Sequence, residues 1–238
     1  MLQSAFFVAE KLKKQFGVLI FEDTEICETE IRDLLEKMEV INVKILISNK
    51  TIDSLAEICE TEEASFLFIQ LIDNKNKTIK QILQASRELR IPYLIFKDNF
   101  LPLDLQKTLV PVIYLQEEIE KAQFASAFGR FCNSEILVLQ ANDYGSKAQQ
   151  TVEKMISLFD KFSFKYEVEK AAGDSYKVEN EAIRRAEKEN YGIIIISASR
   201  EYGLDDIIFG PKELHFVKKS STPLLLVNPR GDLYALCD

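Results

Sequence analysis

Short apolar runs alternate with amphipathic segments along the whole chain. The amphipathic segments have helical spacing, and this alternation is typical of an α/β protein with a parallel sheet. Several runs, such as Ile193–Ile196, are apolar at consecutive positions, which predicts strands covered by helices on both faces. The predicted strands are Val18–Phe21, Val43–Ile47, Phe66–Ile72 and Tyr93–Phe96 in the first half, and Leu109–Leu115, Glu135–Gln140, Phe164–Glu169, Gly192–Ser197 and Pro223–Val227 in the second.

The two halves repeat the same order of elements. GVLIF matches EILVL, NVKILI matches FKYEVE, SFLFIQL matches GIIIISA and IPYLIF matches TPLLLV. In the last pair Pro92 and Pro223 each open the strand, where a missing N–H group costs little. We therefore predict a duplication with domains at 1–103 and 104–238, packed as a pseudo-dimer.

The first half has no counterpart of Leu109–Leu115, because its opening helix begins almost at Met1. In a doubly wound sheet that opening strand is normally central. Three outcomes are consistent with its loss: a compacted four-stranded sheet, a strand borrowed from elsewhere, or a truncated start.

Composition narrows the classes of partner and chemistry. The net charge of −8 disfavours nucleic acid and anionic membranes, because phosphate contacts need a basic surface. The four cysteines are far apart and His215 is the single histidine, so neither a disulfide scaffold nor a multi-histidine metal site is expected. His215 lies in a predicted helix, and we interpret it as a half-buried structural residue.

No apolar run approaches the roughly 20 residues that cross a bilayer, and we expect a cytoplasmic protein.

The segment from Thr108 onward resembles a universal stress protein domain. The resemblance rests on the strand TLVPVIYL, the helix EEIEKAQFASAFGRF, the strand EILVLQ and the ending GPKELHFVKKSSTPLLLV, in which Gly210 begins the last helix and Pro223 the last strand. With the duplication, the whole chain resembles a tandem universal stress protein. The resemblance implies two doubly wound parallel-sheet domains of the adenine nucleotide alpha hydrolase-like class, the first lacking its opening strand.

Nucleotide-binding members of this family carry a loop of the form G-x2-G-x9-G-S/T after the fourth strand. When the pattern is anchored on Gly210, the first two glycine positions fall on Ser197 and Arg200, and the Ser/Thr position falls on Pro211. Pro211 has neither an N–H group nor a hydroxyl to offer a phosphate. The family's nucleotide-holding aspartate corresponds to Ile113. The resemblance therefore implies a universal stress domain with a degraded nucleotide loop, and the glycine-free loop LIDNKNKT in the first half is not expected to bind ATP.

The expected function is a non-catalytic stress-response or regulatory protein that works through an unidentified protein partner and needs no cofactor. The alternative is a sensor of ATP or AMP, with weak ATPase activity at most, that uses Ser197, Arg200, Gly203 and Gly210 in a modified loop. An adenylyl-transfer enzyme on a related fold is more remote, because the phosphate motif is missing. We also expect a homodimer through the exposed edges of the last strands, since pairing across a two-fold axis protects such edges.

Overall fold

The computed structural model describes residues 1–21, 28–40, 42–199 and 211–230, and all structural statements concern these ranges. The described helices are α1 (Leu2–Lys11), α2 (Glu28–Lys37), α3 (Leu55–Thr61), α4 (Asn76–Ala85), α5 (Lys121–Cys132), α6 (Lys147–Lys161), α7 (Val178–Glu189) and α8 (Lys212–Lys219). The strands are β1 (Gly17–Phe21), β2 (Lys44–Ser48), β3 (Leu67–Leu71), β4 (Tyr93–Lys97), β5 (Lys107–Val112), β6 (Glu135–Gln140), β7 (Tyr166–Lys170), β8 (Ile193–Ser197) and β9 (Leu224–Val227). The predicted α/β order of elements is confirmed.

Seven strands form one sheet in the order β3-β4-β9-β8-β5-β6-β7. All neighbours in it are parallel except β4 and β9, which run antiparallel through Tyr93↔Leu226 and Leu94↔Leu225. The four isoleucines of β8 are completely buried. This burial is the reason for their unbroken apolar sequence, because helices cover both faces of the strand.

The pairing of β4 with β9 corrects the contact through which the homodimer was expected to form. We expected the last strands of the two halves to remain exposed and to pair between two copies of the chain. They pair with each other inside one chain instead, and their other edges are occupied by β3 and β8. Neither last strand keeps an edge for a second copy.

The strands β1 and β2 form a separate two-stranded parallel sheet. The compacted four-stranded sheet, one of the three outcomes considered for the first half, is therefore wrong. Within the described residues no strand connects β1 to β3, although Leu19 of β1 packs against the same apolar cluster that contains Leu71 of β3. The first half is thus divided where its opening strand is missing.

Two apolar clusters lie on the two faces of the large sheet. One contains Leu109, Ile194 and Leu226, and the other contains Val110, Ile193 and Leu225. Consecutive residues alternate between the clusters, as the period of two along a strand requires. Every helix in the described ranges is too short or too polar to cross a membrane.

Gly192 allows the segment before β5 to approach the start of β8. Its N–H donates to the Lys107 carbonyl at 3.0 Å, and a Cβ atom at Gly192 would lie 1.5 Å from the Asp104 carbonyl oxygen. Only glycine fits such a close approach of two backbones.

Gly192→Ala should therefore lower the free energy of unfolding by about 2–3 kcal/mol or more, because the backbone must shift to admit the methyl group. Gly17→Ala is the matched control, since a Cβ atom there meets the Lys44 carbonyl oxygen at an ordinary 3.4 Å. Urea denaturation of the two variants would measure the difference. Equal stabilities would contradict the close approach at Gly192.

Candidate functional site

The candidate site is the crevice at the carboxyl ends of β5 and β8. From β5 the chain proceeds to β6 and β7 on one side, and then crosses to β8 and β9 on the other. The strand order therefore reverses between β5 and β8, and α/β proteins bind their ligands at such a switch point.

Pro111 interrupts the hydrogen bonding between β5 and β8 at this crevice. Strand β5 pairs with β6 along all six of its residues, but with β8 only at Thr108↔Ile193 and Leu109↔Ile194. The carbonyl of Lys107 points toward β8, because it accepts the N–H of Gly192. The backbone groups of every second residue in a strand point to the same side, so those of Leu109 and Pro111 also point toward β8. Proline has no N–H for the next bond, and the ladder ends there.

Glu118 and Lys121 form an ion pair that is hydrogen-bonded to two backbone groups at the end of β5, where the pairing with β8 has stopped. The Lys121 ammonium donates to the Pro111 carbonyl, and the Ile113 N–H donates to Glu118 Oε2 at 3.0 Å. Lys121 Nζ and Glu118 Oε2 are 2.6 Å apart, and both side chains are fully buried. Glu118 lies in the short 3₁₀ helix Gln116–Glu120, and Lys121 is the first residue of α5, which follows it directly.

Charge and hydrogen bonds keep Glu118 ionised in this buried position. Burial alone raises the pKa of a carboxyl group, but here it is outweighed by the charge and hydrogen bond of Lys121 and by hydrogen bonds from the Ile113 N–H and the Ser197 hydroxyl. The pKa of Glu118 consequently lies below its usual value. Ser197, at the end of β8 and 5% exposed, thus interacts with a carboxylate of the chain itself.

A second group of buried charges lies at the N-terminus of α8. Lys212 Nζ is 3.1 Å from Glu179 Oε1 of α7, and Glu213 in the first turn of α8 accepts the N–H of Ser199. A helix N-terminus favours an anion, because its positive dipole end and its unpaired N–H groups converge there. The Glu213 side chain places an acidic group in the first turn of α8.

The described part of the crevice contains three buried carboxylates and two ammonium groups: Glu118, Glu179, Glu213, Lys121 and Lys212. Burial and the negative charge of Glu118 raise the pKa of Glu179, although Lys212 opposes them. Burial lowers the pKa of Lys212, but the three surrounding carboxylates outweigh it, so the net pKa is raised. Among the described residues of the crevice, carboxylates therefore outnumber ammonium groups by one.

The N–H of Tyr114, the residue after Ile113, is also hydrogen-bonded within the chain. The Tyr114 N–H donates to Ser175 Oγ at 2.9 Å, and the Ser175 N–H donates to Asp143 Oδ1 at 2.9 Å. The Ser175 hydroxyl also donates to the other oxygen of Asp143. These bonds join the ends of β5 and β6 to the loop before α7, and the Tyr114 N–H is no longer available to a ligand.

The structure describes part of the predicted nucleotide loop. The N–H of Ile113 donates to Glu118, Ser197 contributes to the lowered pKa of Glu118, and Pro211 is buried as the residue that precedes α8. The other predicted loop residues, Arg200, Gly203 and Gly210, lie outside the described residues. Sequence reasoning missed Glu118, Lys121, Glu179, Lys212 and Glu213, which dominate the crevice. The signal that could have found the first two is Pro111 inside a strand expected to be central.

His215, Cys59 and Cys132 are the histidine and cysteine residues that the described ranges contain. His215 is exposed on α8, rather than half-buried as predicted. Burial raises the pKa of the Cys59 thiol to about 11 and also raises that of Cys132, so both remain thiols at neutral pH. Within the described ranges no cluster of three histidine, cysteine, aspartate or glutamate residues could hold a metal ion.

Lys121→Met should lower the free energy of unfolding by about 3–5 kcal/mol at pH 7, because it leaves the Glu118 charge buried without a partner. Adding Glu118→Gln should recover more than half of that loss. The exposed pair Arg32–Glu28 supplies the control, and Arg32→Met should cost less than about 1 kcal/mol. Urea denaturation measures all three variants, and a double variant no more stable than Lys121→Met would contradict the pairing.

Glu118 and Glu179 should have opposite effects on the way the free energy of unfolding depends on pH. The lowered pKa of Glu118 means that its stabilisation is present above about pH 4.5 and is lost as the pH falls through the folded-state pKa. The raised pKa of Glu179 gives the reverse, a contribution lost as the pH rises through the folded-state value. Between pH 3 and 7, the stability of the wild type relative to Glu118→Gln should rise with pH, and that relative to Glu179→Gln should fall. Slopes of the same sign would refute this assignment.

No family model and no curated protein matches the sequence, but solved structures resemble it over nearly its full length. A universal stress protein from Archaeoglobus fulgidus is 14% identical with a TM-score of 0.67, over 97% of this chain and 92% of that chain. A putative universal stress protein from Pseudomonas aeruginosa is 13% identical with a TM-score of 0.65, over 99% of this chain and 90% of that one. The sheet order, the helices on both faces and these two similarities together show that the chain has the fold of the universal stress proteins.

Proposed function

We propose that this protein is a non-catalytic stress-response protein that acts through protein partners and does not bind ATP in the usual way. The observation that carries the proposal is the ion pair of Glu118 and Lys121 between β5 and β8. It occupies the switch point, where a ligand of this fold class is expected. A nucleotide could enter only by displacing a fully buried and hydrogen-bonded ion pair, which would leave both charges uncompensated.

Charge at the start of α8 supports the same proposal. The Glu213 carboxylate, in the first turn of α8, accepts the N–H of Ser199 and would oppose the approach of a phosphate to this helix terminus by its negative charge. Glu179 lies 3.1 Å from Lys212 and adds a further negative charge. The degraded loop that the sequence predicts, with Pro211 in place of a serine or threonine, removes another phosphate contact.

We further propose that the chain is a tandem protein whose domains span 1–103 and 104–238 and that it functions in the cytoplasm. The proposed boundary falls between β4 and β5, and the antiparallel pair of β4 and β9 joins the two domains. Such a pair inside one chain corresponds to the edge pairing of two subunits about a two-fold axis.

Isothermal titration calorimetry with ATP and with AMP, each with magnesium, tests the proposal. We expect no binding heat in the titration, and no change in melting temperature in a parallel thermal-shift assay, up to millimolar nucleotide. Inorganic triphosphate is the matched control, because it separates recognition of the nucleoside from a general effect of anions. A micromolar response to ATP or AMP that Arg200→Ala abolishes would overturn the proposal in favour of a nucleotide sensor that uses the predicted loop.

A further inference from the structure

A polar cavity of about 390 Å³ lies at the carboxyl ends of β3 and β4. The end of α8 and the segment that follows it form another part of its wall, and the charged side chains that line it are Asp73, Lys97, Asp98, Lys218 and Lys219. Strand β4 runs antiparallel to β9, which is parallel to β8, and β8 is parallel to β5. The cavity is therefore at the opposite end of the strands from the crevice between β5 and β8.

Lys97, the last residue of β4, contributes an ammonium group to this cavity. The residue is 8% exposed, and its Nζ donates to the Ser220 carbonyl at 2.6 Å and lies 3.5 Å from the Lys218 carbonyl oxygen. Both of these residues also line the cavity. An ammonium group has three N–H donors, and 3.5 Å is longer than the usual N–H···O distance of about 2.7–3.2 Å. At least one of the three donors is thus left without an acceptor in the ranges that the structure describes.

The positive charge of Lys97 has no carboxylate partner among the described residues. Asp73 pairs with Lys75 at 2.9 Å, and Asp98 accepts a hydrogen bond from a side-chain amide of β3 at 2.6 Å. The ring of Phe100, whose centroid is 5.0 Å from Lys97 Nζ, attracts the ammonium group more weakly than a carboxylate would. Burial consequently lowers the pKa of Lys97.

Asn228 is the residue of the second half that corresponds to Lys97. In the duplication Pro92 opens β4 and Pro223 opens β9, and Lys97 and Asn228 each follow five residues after that proline. The two halves therefore provide an internal comparison between a charged and a neutral side chain at one position of the fold.

Asn228 bonds the carbonyls that are equivalent to those near Lys97. Its amide donates to the Leu89 and Arg87 carbonyls at 2.9 and 3.1 Å. Leu89 and Arg87 lie three and five residues before the proline of their half, as Ser220 and Lys218 do in theirs. A neutral amide is thus sufficient to bond these carbonyls, and the positive charge of Lys97 is not required for that task. An anion in the adjoining cavity would account for the charge, because it would compensate a buried ammonium group.

Lys218 and Lys219 add positive charge beside the cavity. Their ammonium groups are bonded to the amide oxygens of Asn76 and Asn180, at 2.7 and 3.3 Å, rather than to carboxylates. Both lysines are exposed, so water and salt screen their charges. Lys97 is therefore the charge that an anion in the cavity would chiefly compensate.

The single buried charge favours a carboxylate over a phosphate. A carboxylate carries one negative charge and neutralises Lys97, whereas a phosphate dianion would place a second negative charge beside the partly buried Asp73. The volume of about 390 Å³ lies within the range of small-molecule sites, about 300–1,000 Å³. The cavity therefore has room for an organic molecule as well as for its charged group.

We propose that this cavity binds a small organic carboxylate, whose carboxylate group accepts a hydrogen bond from Lys97 Nζ. Both halves of the chain contribute to the site, because Lys97 belongs to β4 and Ser220 and Ser221 precede β9. The site is independent of the proposed function, since it lies at the opposite end of the strands from the crevice.

Nuclear magnetic resonance of the ¹⁵N-labelled full chain, titrated with acetate at constant ionic strength, tests the proposal. Acetate should produce saturable chemical-shift changes at the amides of Asp98, Asn99 and Ser221, with a Kd on the order of 10 mM or lower. Lys97→Asn, which introduces the side chain of the second half, should weaken this binding about tenfold or more, because it removes a charge-assisted hydrogen bond. Lys154→Asn is the matched control: it makes the same change at an exposed position of α6 and should bind acetate as the wild type does.

Acetamide separates the effect of charge from that of shape. It resembles acetate in size and shape but is neutral, so it should leave the same amides unshifted at equal concentrations. Should Lys97→Asn fail to fold, the comparison of acetate with acetamide on the unaltered chain decides alone.

Three results would each overturn the proposal: equal shifts from acetate and acetamide, no saturation up to about 100 mM acetate, or wild-type affinity in Lys97→Asn. Inorganic phosphate is titrated in the same way. Tighter binding of phosphate than of acetate at these amides would contradict the assignment to a carboxylate.

Discussion

The ladder between β5 and β8 ends at Pro111, and the arrangement of the crevice depends on this break. A proline in a central strand leaves a missing donor and an unpaired carbonyl in the protein interior, where unsatisfied polar groups are costly. Here Glu118 and Lys121 bond the backbone at both Pro111 and Ile113. Both side chains are fully buried at the end of β5.

This arrangement affects the rest of the crevice. The negative charge of Glu118 raises the pKa of Glu179, and together with Glu179 and Glu213 it raises the pKa of Lys212. The charges therefore form a coupled group that joins β5, α7 and α8. In this group the carboxylates of Glu118, Glu179 and Glu213 lie close to the ammonium group of Lys212.

Most of the fold could be predicted from the sequence, because strand positions depend on local patterns. The run Ile193–Ile196 predicts a buried parallel strand, and Pro92 and Pro223 mark equivalent last strands. The crevice could not be predicted in the same way. Glu118 lies in the acidic run EEIEK, which resembles an exposed helix start, and its burial depends on a ladder break in another element. The pairing of β4 with β9 was missed because the sequence of an edge strand does not reveal whether its partner lies in the same chain.

The most direct test of the account is a crystal structure of the protein grown with millimolar ATP and magnesium. The account predicts the Glu118 carboxylate within hydrogen-bond distance of the Ile113 N–H, the Lys121 ammonium on the Pro111 carbonyl, and no nucleotide between β5 and β8. A nucleotide ordered in that crevice, with the side chains of Glu118 and Lys121 displaced from the two strands, would contradict it.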